Sequence, residues 1–296
     1  MGWRVIIIEN PAKLSLKDNK LVIEQEEKVN IPLEDIDSLV IDASGIVLTK
    51  NIITALSEKD VNVLFCDEKH LPCSTILPYS QASRGAKLAR AQLNMSEPNR
   101  KQLWRKNIIQ KITNQADVLK KFGYEHEDLR KLANTVRSGD TGNNESTAAR
   151  FYFSRLLGDA TRRKPMWHNS ALNYGYAIIR SSIAREVAAR GFISMIGINH
   201  HSELNQFNLV DDLIECFRPI VDDYVLSEVA LNHINNADSS LSSEDRRAII
   251  DILNKNDIIY NKKFEIKLSI SKMVESFAKA VLEEDTGLFE LPKVLI

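Results

Sequence analysis

Short apolar runs separated by polar turns fill the first 80 residues, the pattern of strands rather than helices. WRVIIIE, KLSL and KLVIEQE come first, the last two divided at Asp18-Asn19, and VNIPL, SLVID and VNVLFCD follow. Apolar and polar positions do not alternate cleanly, so several strands are expected to be buried on both faces of a small sandwich-like or mixed sheet. A helix over 48–56, with Thr49 at its N-cap, interrupts the strands. The pattern changes at PYSQASRG, residues 78–85, and apolar positions then recur at helical spacing. This periodicity predicts helices over 86–94, 97–122, 127–136, 145–157, 171–189, 209–232, 245–254 and 270–283. Pro98 falls in the first turn of its helix, where a missing donor costs little, whereas Pro219 should kink or divide the sixth. A hairpin over 258–267, turned at Asn261-Lys262, lies between the last two helices. The fold class expected is α+β: a β-rich domain over 1–80, then a larger, mainly helical domain over 86–296, with linkers at 80–85 and 137–144.

Composition narrows the class without naming it. The chain has 296 residues, 44% of them apolar and 27% charged, as in an ordinary globular protein. No uninterrupted apolar run is long enough to span a bilayer, and the apolar start is too short for a signal peptide. Cys66, Cys73 and Cys216 form no paired metal motif, so reduced thiols in a cytoplasm are expected.

The net charge of -1 conceals an uneven distribution. Residues 84–111 hold eight basic side chains against the single acid Glu97, and 150–190 hold eight against two. Between 203 and 245 the balance reverses to ten acids against the one base Arg218. Positive surfaces beside a negative centre would suit a phosphate backbone next to a bound cation. Unevenly placed helical surface charge is the plainer reading.

Two stretches carry candidate chemistry. In DTGNNESTAARFYFSRLLGD, residues 140–159, Glu145 opens a helix after a turn. Alone it is equally a favourable charge at a helix N-terminus. In GINHHSELNQFNLVDDLIECFRPIVDD, residues 197–223, His200 and His201 sit in a polar loop, and Asp211, Asp212 and Glu215 follow at helical spacing. Clustered carboxylates repel one another unless a cation intervenes. Oxygen ligands with one imidazole suit Mg2+ or Mn2+ better than zinc, and no EF-hand or HExxH spacing is present. Metal-dependent phosphoryl transfer, a non-catalytic DNA-binding module and a helical scaffold all remain open on these residues alone.

Several blocks together are more specific. GWR at the start, IVLT at 46–49, VLFCDEKHLP at 63–72, NNESTAARFYF at 143–153, LNYGY at 172–176 and the run from His200 to Asp222 resemble the CRISPR adaptation integrase family. The nearest likeness is to the form that accompanies single-protein RNA-guided effector nucleases. The resemblance implies metal ligation and catalysis by Glu145, His200 and Glu215, with Asp212 as a supporting acid and His201 an extra neighbour. It implies an N-terminal domain that helps form a homodimer, a small dimeric partner subunit that bridges two such dimers, and insertion of short captured DNA into a CRISPR array. The attacking group would be a fragment's 3′-hydroxyl and the target a phosphodiester at the repeat edge. A ring-shaped DNA-binding accessory protein and the effector nuclease are implied partners in capture. A stand-alone nuclease for branched DNA is the alternative activity. Arg84, Lys87, Arg90, Lys101, Arg105, Arg150, Arg162, Arg163 and Lys164 are candidate phosphate contacts, and Trp104, Trp167 and Tyr174 candidate stacking residues, although core packing suits Tyr174 better.

Overall fold

In a computed structural model, the residues described are 2, 4–68, 70, 72–77, 85–158, 166–229 and 240–296. The chain divides into two compact units, Met1–Gln81 and Ala82–Ile296. The first is strand-rich and the second mostly helical, the α+β arrangement that the apolar pattern predicts.

Two four-stranded sheets build the first unit. One has the order β1 (Arg4–Ile8), β5 (Ile36–Ile41), β7 (Asn62–Cys66), β8 (Pro72–Thr75), parallel except for the antiparallel β7–β8 pair. The other runs β4 (Lys28–Pro32), β3 (Lys20–Glu24), β2 (Lys13–Lys17), β6 (Val47–Leu48). There the first three strands pair antiparallel and β6 joins β2 in parallel. Every residue of β5 is buried, as expected of a parallel central strand covered on both faces. Helix α1 (Lys50–Glu58) inserts Ile52 and Leu56 into an apolar cluster with Leu14, Leu21, Leu39 and Val63. It begins two residues later than the pattern predicts. Thr49 holds the N-cap position without a side-chain cap bond.

The second unit is organised by two long helices, α3 (Glu97–Lys121) and α6 (Trp167–Arg190). Ser96 starts α3 by accepting from Asn99 N, and Pro98 sits in its first turn. Helices α4 (Glu127–Asn134) and α5 (Asn144–Leu156) pack on α3, while α10 (Ile266–Glu283) packs on α6 and on α2 (Gly85–Leu93). A Cβ on Gly175 of α6 would lie 2.6 Å from Val221 Cγ1, so a glycine is needed where α6 meets the segment after Pro219.

Several boundaries differ from the pattern, three of them for a plain local reason. The helix expected over 209–232 is divided into α7 (Asn208–Leu213), a turn over 214–217, α8 (Arg218–Tyr224) and a wider, i→i+5 wound segment Val225–Val229. Pro219 in the first turn of α8 cannot supply the amide that a continuous helix needs. The hairpin of β9 (Asn256–Ile259) and β10 (Lys262–Glu265) pairs Ile259 with Lys262, so it turns at Tyr260-Asn261. Both turn residues have positive φ. The linker expected over 137–144 is a built turn, with a 3-10 segment Ser138–Asp140 leading into α5. Between α8 and β9 lies α9 (Ser243–Ile250), held by a Ser242–Asp245 capping box.

Candidate active site

Helix α3 carries Trp104, Asn107, Lys111 and Asn114 at spacings of three and four, so they share one side. All four are buried. Asn107 Nδ2 donates to Asp212 O at 2.6 Å, and Asn114 Nδ2 donates to Cys216 O at 2.8 Å. The two amides thus hold the backbone on either side of Glu215. Lys111, one turn beyond Asn107, donates from Nζ to Glu145 Oε1 at 2.6 Å and to Glu215 Oε2. Two carboxylates from distant parts of the chain therefore meet at one buried ammonium.

Glu145 reaches that ammonium because another acid takes the capping role. Asp140 accepts from Asn144 N at 2.9 Å and Glu145 N at 3.0 Å, which satisfies the first donors of α5. Asn143 enters the helix in the left-handed region, with φ 52°. The reading of Glu145 as merely a helix-terminal charge is thereby replaced. Glu215 lies not in a helix but in the turn between α7 and α8, where the break caused by Pro219 redirects the chain. Its Oε1 accepts from Arg218 Nε at 2.8 Å. Burial would raise its pKa, but Lys111 and Arg218 outweigh burial and lower it to about 2. Burial alone would lower the Lys111 pKa, and Glu215 with Glu145 reverses that and raises it.

Asp212 is fully buried and forms a second centre. Its carboxylate accepts from the backbone N–H groups of Ile198, Asn199 (3.0 Å) and His200 (3.1 Å), and Oδ1 lies 2.7 Å from His200 Nδ1. A Cβ on Gly197 would stand 2.4 Å from His200 O and 2.6 Å from Asp212 Oδ2, so only glycine lets this loop close over the acid. With Asp212 accepting at Nδ1, the proton of neutral His200 sits there and Nε2 is left as the basic nitrogen. The ring edge packs against Trp104, centroids 5.9 Å apart. The Asp212 bond raises the His200 pKa, opposed by partial burial and helped by Glu215.

The other predicted residues sort unevenly. Asp211 turns away to Arg180, at 2.6 and 3.1 Å, and to Asn205 at 2.7 Å. His201 lines a cavity of about 360 Å³ with Glu97, Arg100, Lys101, Trp104 and Asn199. Lys87, Arg90, Lys101 and Arg150 are exposed, as phosphate contacts must be, although Lys101 also pairs with Glu97. Arg105 is half-buried and spends Nε on Val136 O at 2.8 Å, closing the end of α4. Arg84, Arg162, Arg163 and Lys164 lie outside the described residues. Trp104, Trp167 and Tyr174 are all buried, so none is an exposed stacking platform. Trp167 instead donates to Asp245 Oδ2 at 3.0 Å. Sequence reasoning counted Lys111 only among the basic residues of its stretch. The available signal was a lysine on the core stripe, between Ile108 and Ile112, where helical period calls for an apolar side chain.

The donor chemistry fits a hard divalent cation. Two carboxylates already share a cationic partner, and the same unit offers an imidazole with its other nitrogen held by Asp212. Among the described residues no three acid, histidine or cysteine side chains are preassembled around one point. The ammonium of Lys111 is what joins the two carboxylates.

Fold and site together define an α+β protein whose helical unit draws a buried acid, a half-buried acid and an acid-held histidine into one region. The family model described as CRISPR associated protein Cas1 matches residues 5–255, and the chain belongs to that family. It is 40% identical to the CRISPR-associated endonuclease Cas1 of Neisseria meningitidis serogroup C (strain 8013), across 100% of this chain and 97% of the relative. It is 26% identical to CRISPR-associated endonuclease Cas1 1 of Francisella tularensis subsp. novicida (strain U112), across 91% and 93%. Among solved structures, a casposase bound to integration product shares the fold at TM-score 0.78 and 18% identity, over 95% of this chain and 91% of that one. A CAS1 protein from Thermotoga maritima does so at TM-score 0.75 and 17% identity, over 94% and 97%. No helix among the described residues is long and apolar enough to cross a membrane.

Proposed function

We propose that this chain is a divalent-metal-dependent DNA endonuclease and integrase that inserts short captured DNA into a CRISPR array. The observation that carries the reading is the convergence of Glu145 and Glu215 on one buried cation, in the unit where Asp212 orients His200. The endonuclease name of the Neisseria relative and the integration product held by the casposase support it. Glu145, Glu215 and His200 Nε2 would hold Mg2+ or Mn2+. When bound, such an ion polarises phosphoryl oxygens and eases deprotonation of an attacking hydroxyl.

The chain's own residues supply position and charge. Asp212 holds the His200 ring through Nδ1 and leaves Nε2 free of that bond, and Asn107 and Asn114 keep the turn bearing Glu215 against α3. Arg218 keeps the Glu215 carboxylate ionised and fixed. In the reaction, a fragment's 3′-oxygen forms a bond to phosphorus as the bond to the leaving 3′-oxygen breaks, and that oxygen takes up the proton given up by the attacking hydroxyl. Exposed Lys87, Arg90, Lys101 and Arg150 would contact phosphates without reading sequence. A Cas1 chain with Cas2 and a Cas1–DNA complex are among the structural neighbours, which supports DNA and a small Cas2-like subunit as partners. A homodimer through the strand-rich unit completes the proposed assembly.

The test is integration of a short duplex into a repeat-bearing plasmid, with the small subunit and Mg2+ or Mn2+ supplied. Glu145→Ala, His200→Ala and Glu215→Ala should each lower joining by about a hundredfold or more while leaving DNA binding largely intact. Wild-type joining by all three variants would overturn the site. Cleavage of branched DNA without joining would favour a stand-alone nuclease.

A further inference from the structure

Buried lysines are rare because an ammonium loses much hydration on leaving water. Lys111 is 7% exposed and still charged, because it touches the carboxylates of Glu145 and Glu215 together. Both oxygens of Glu215 are taken, Oε2 by Lys111 and Oε1 by Arg218. A divalent ion bound to Glu145 and Glu215 would bring its charge against the Lys111 ammonium on the same two carboxylates, so the two cations compete for them. Arg218 is fixed, its guanidinium 4.8 Å from the Tyr176 ring centroid and its Nε on Glu215. Lys111 is a point charge on a flexible four-carbon stem and bonds the two acids that would become ligands.

We propose that Lys111 is a displaceable resident cation: it holds Glu145 and Glu215 together before metal arrives, and its charge weakens metal binding because the ion must drive it aside. This rests on the metal-site reading above and assigns a task to a residue outside the ligand set. Two consequences follow from electrostatics. Without Lys111 the metal-free carboxylates repel and the helical unit loses stability, whereas a divalent ion no longer competes with a tethered charge.

The experiment is titration of the full chain with Mn2+ alone, read by free-Mn2+ electron paramagnetic resonance, alongside thermal melting with and without Mn2+. Lys111→Met is expected to lower the metal-free Tm, to show a larger Mn2+-induced rise in Tm than wild type, and to bind Mn2+ at least about tenfold more tightly. Lys111→Gln serves where the methionine variant does not fold. In wild-type protein, reductive methylation mapped by mass spectrometry should modify Lys111 faster when Mn2+ is present, a readout that needs no variant. Unchanged or weaker Mn2+ binding in the folded variants, or labelling of Lys111 that Mn2+ leaves the same or slows, overturns the proposal. Glu145→Gln and Glu215→Gln separate the two readings: if neither weakens Mn2+ binding, the metal site itself is wrong. If both weaken it while Lys111→Met leaves affinity unchanged, only the role of Lys111 fails.

Discussion

The strand-rich unit and the helical unit each bury a tightly packed interior, but they satisfy it differently. Between the sheets, Leu14, Leu21, Leu39, Ile52, Leu56 and Val63 meet only the need to leave water. Along α3, burial includes Asn107, Lys111 and Asn114, and facing them are Asp212 and Glu215. Each of those polar groups has a partner whose loss would strand another buried group. The apolar core tolerates apolar side chains of about the right volume, whereas the polar one admits a narrow set of partners. Such a network carries a stability risk, and it would serve the proposed chemistry by holding two acids and a histidine in place.

The largest effect should come from the apolar side. Leu39→Ala is expected to cost about 2–5 kcal/mol in denaturant unfolding of the strand-rich unit, because it deletes a side chain with no exposure. A loss below ~1 kcal/mol would show that this core is looser than its burial implies. Gly197→Ala tests the polar side at a point that carries no charge. The Cβ meets His200 O and Asp212 Oδ2 at once, so the loop must shift, at a cost of about 1–3 kcal/mol. His200 should then titrate nearer its ordinary value in an NMR pH series, since its raised pKa depends first on the Asp212 bond. An unchanged His200 titration would mean that the loop closes without glycine.

A third test sharpens the comparison by removing an exception. Asp257 is buried, its Oδ1 bonded to Ser269, and among the described residues it has no cation beside it and its Oδ2 has no hydrogen-bond partner. Burial pushes its pKa up to about 7, opposed by the Ser269 bond. The folded value is raised, so the protonated acid's contribution is fully present below about pH 4 and is lost as pH rises through about 7. Asp257→Asn should flatten this dependence, changing the stability difference from wild type by up to about 1.4 kcal/mol per pH unit in that window. Parallel stability curves for the two proteins would place the charge of Asp257 elsewhere.

The strands and most helices could be read from one dimension because they rest on local signals, whereas the acid-and-histidine set came from a resemblance. Apolar runs make β1, β5 and β7, period makes α3 and α10, and the block from His200 to Asp222 is specific enough to resemble a family. Lys111 escaped because its neighbours in sequence, Gln110 and Ile112, say nothing of Glu145 and Glu215, which lie 34 and 104 residues away. The aromatic residues misled for a related reason. Exposure is a property of packing, and Trp104 and Trp167 differ from surface tryptophans only in what covers them.

By itself, then, the sequence determined the division into strands followed by helices and the residue types available for chemistry, since periodicity and side-chain chemistry are carried by the chain. The tertiary structure decided which charges meet. It gave Asp140 the cap that releases Glu145, placed Glu215 in a turn behind Pro219, and turned Asp211 to Arg180 while Asp212 took His200. Coulomb interactions and hydrogen bonds depend on distance in space, and a buried ammonium between two acids exists only after the helices that carry them have packed.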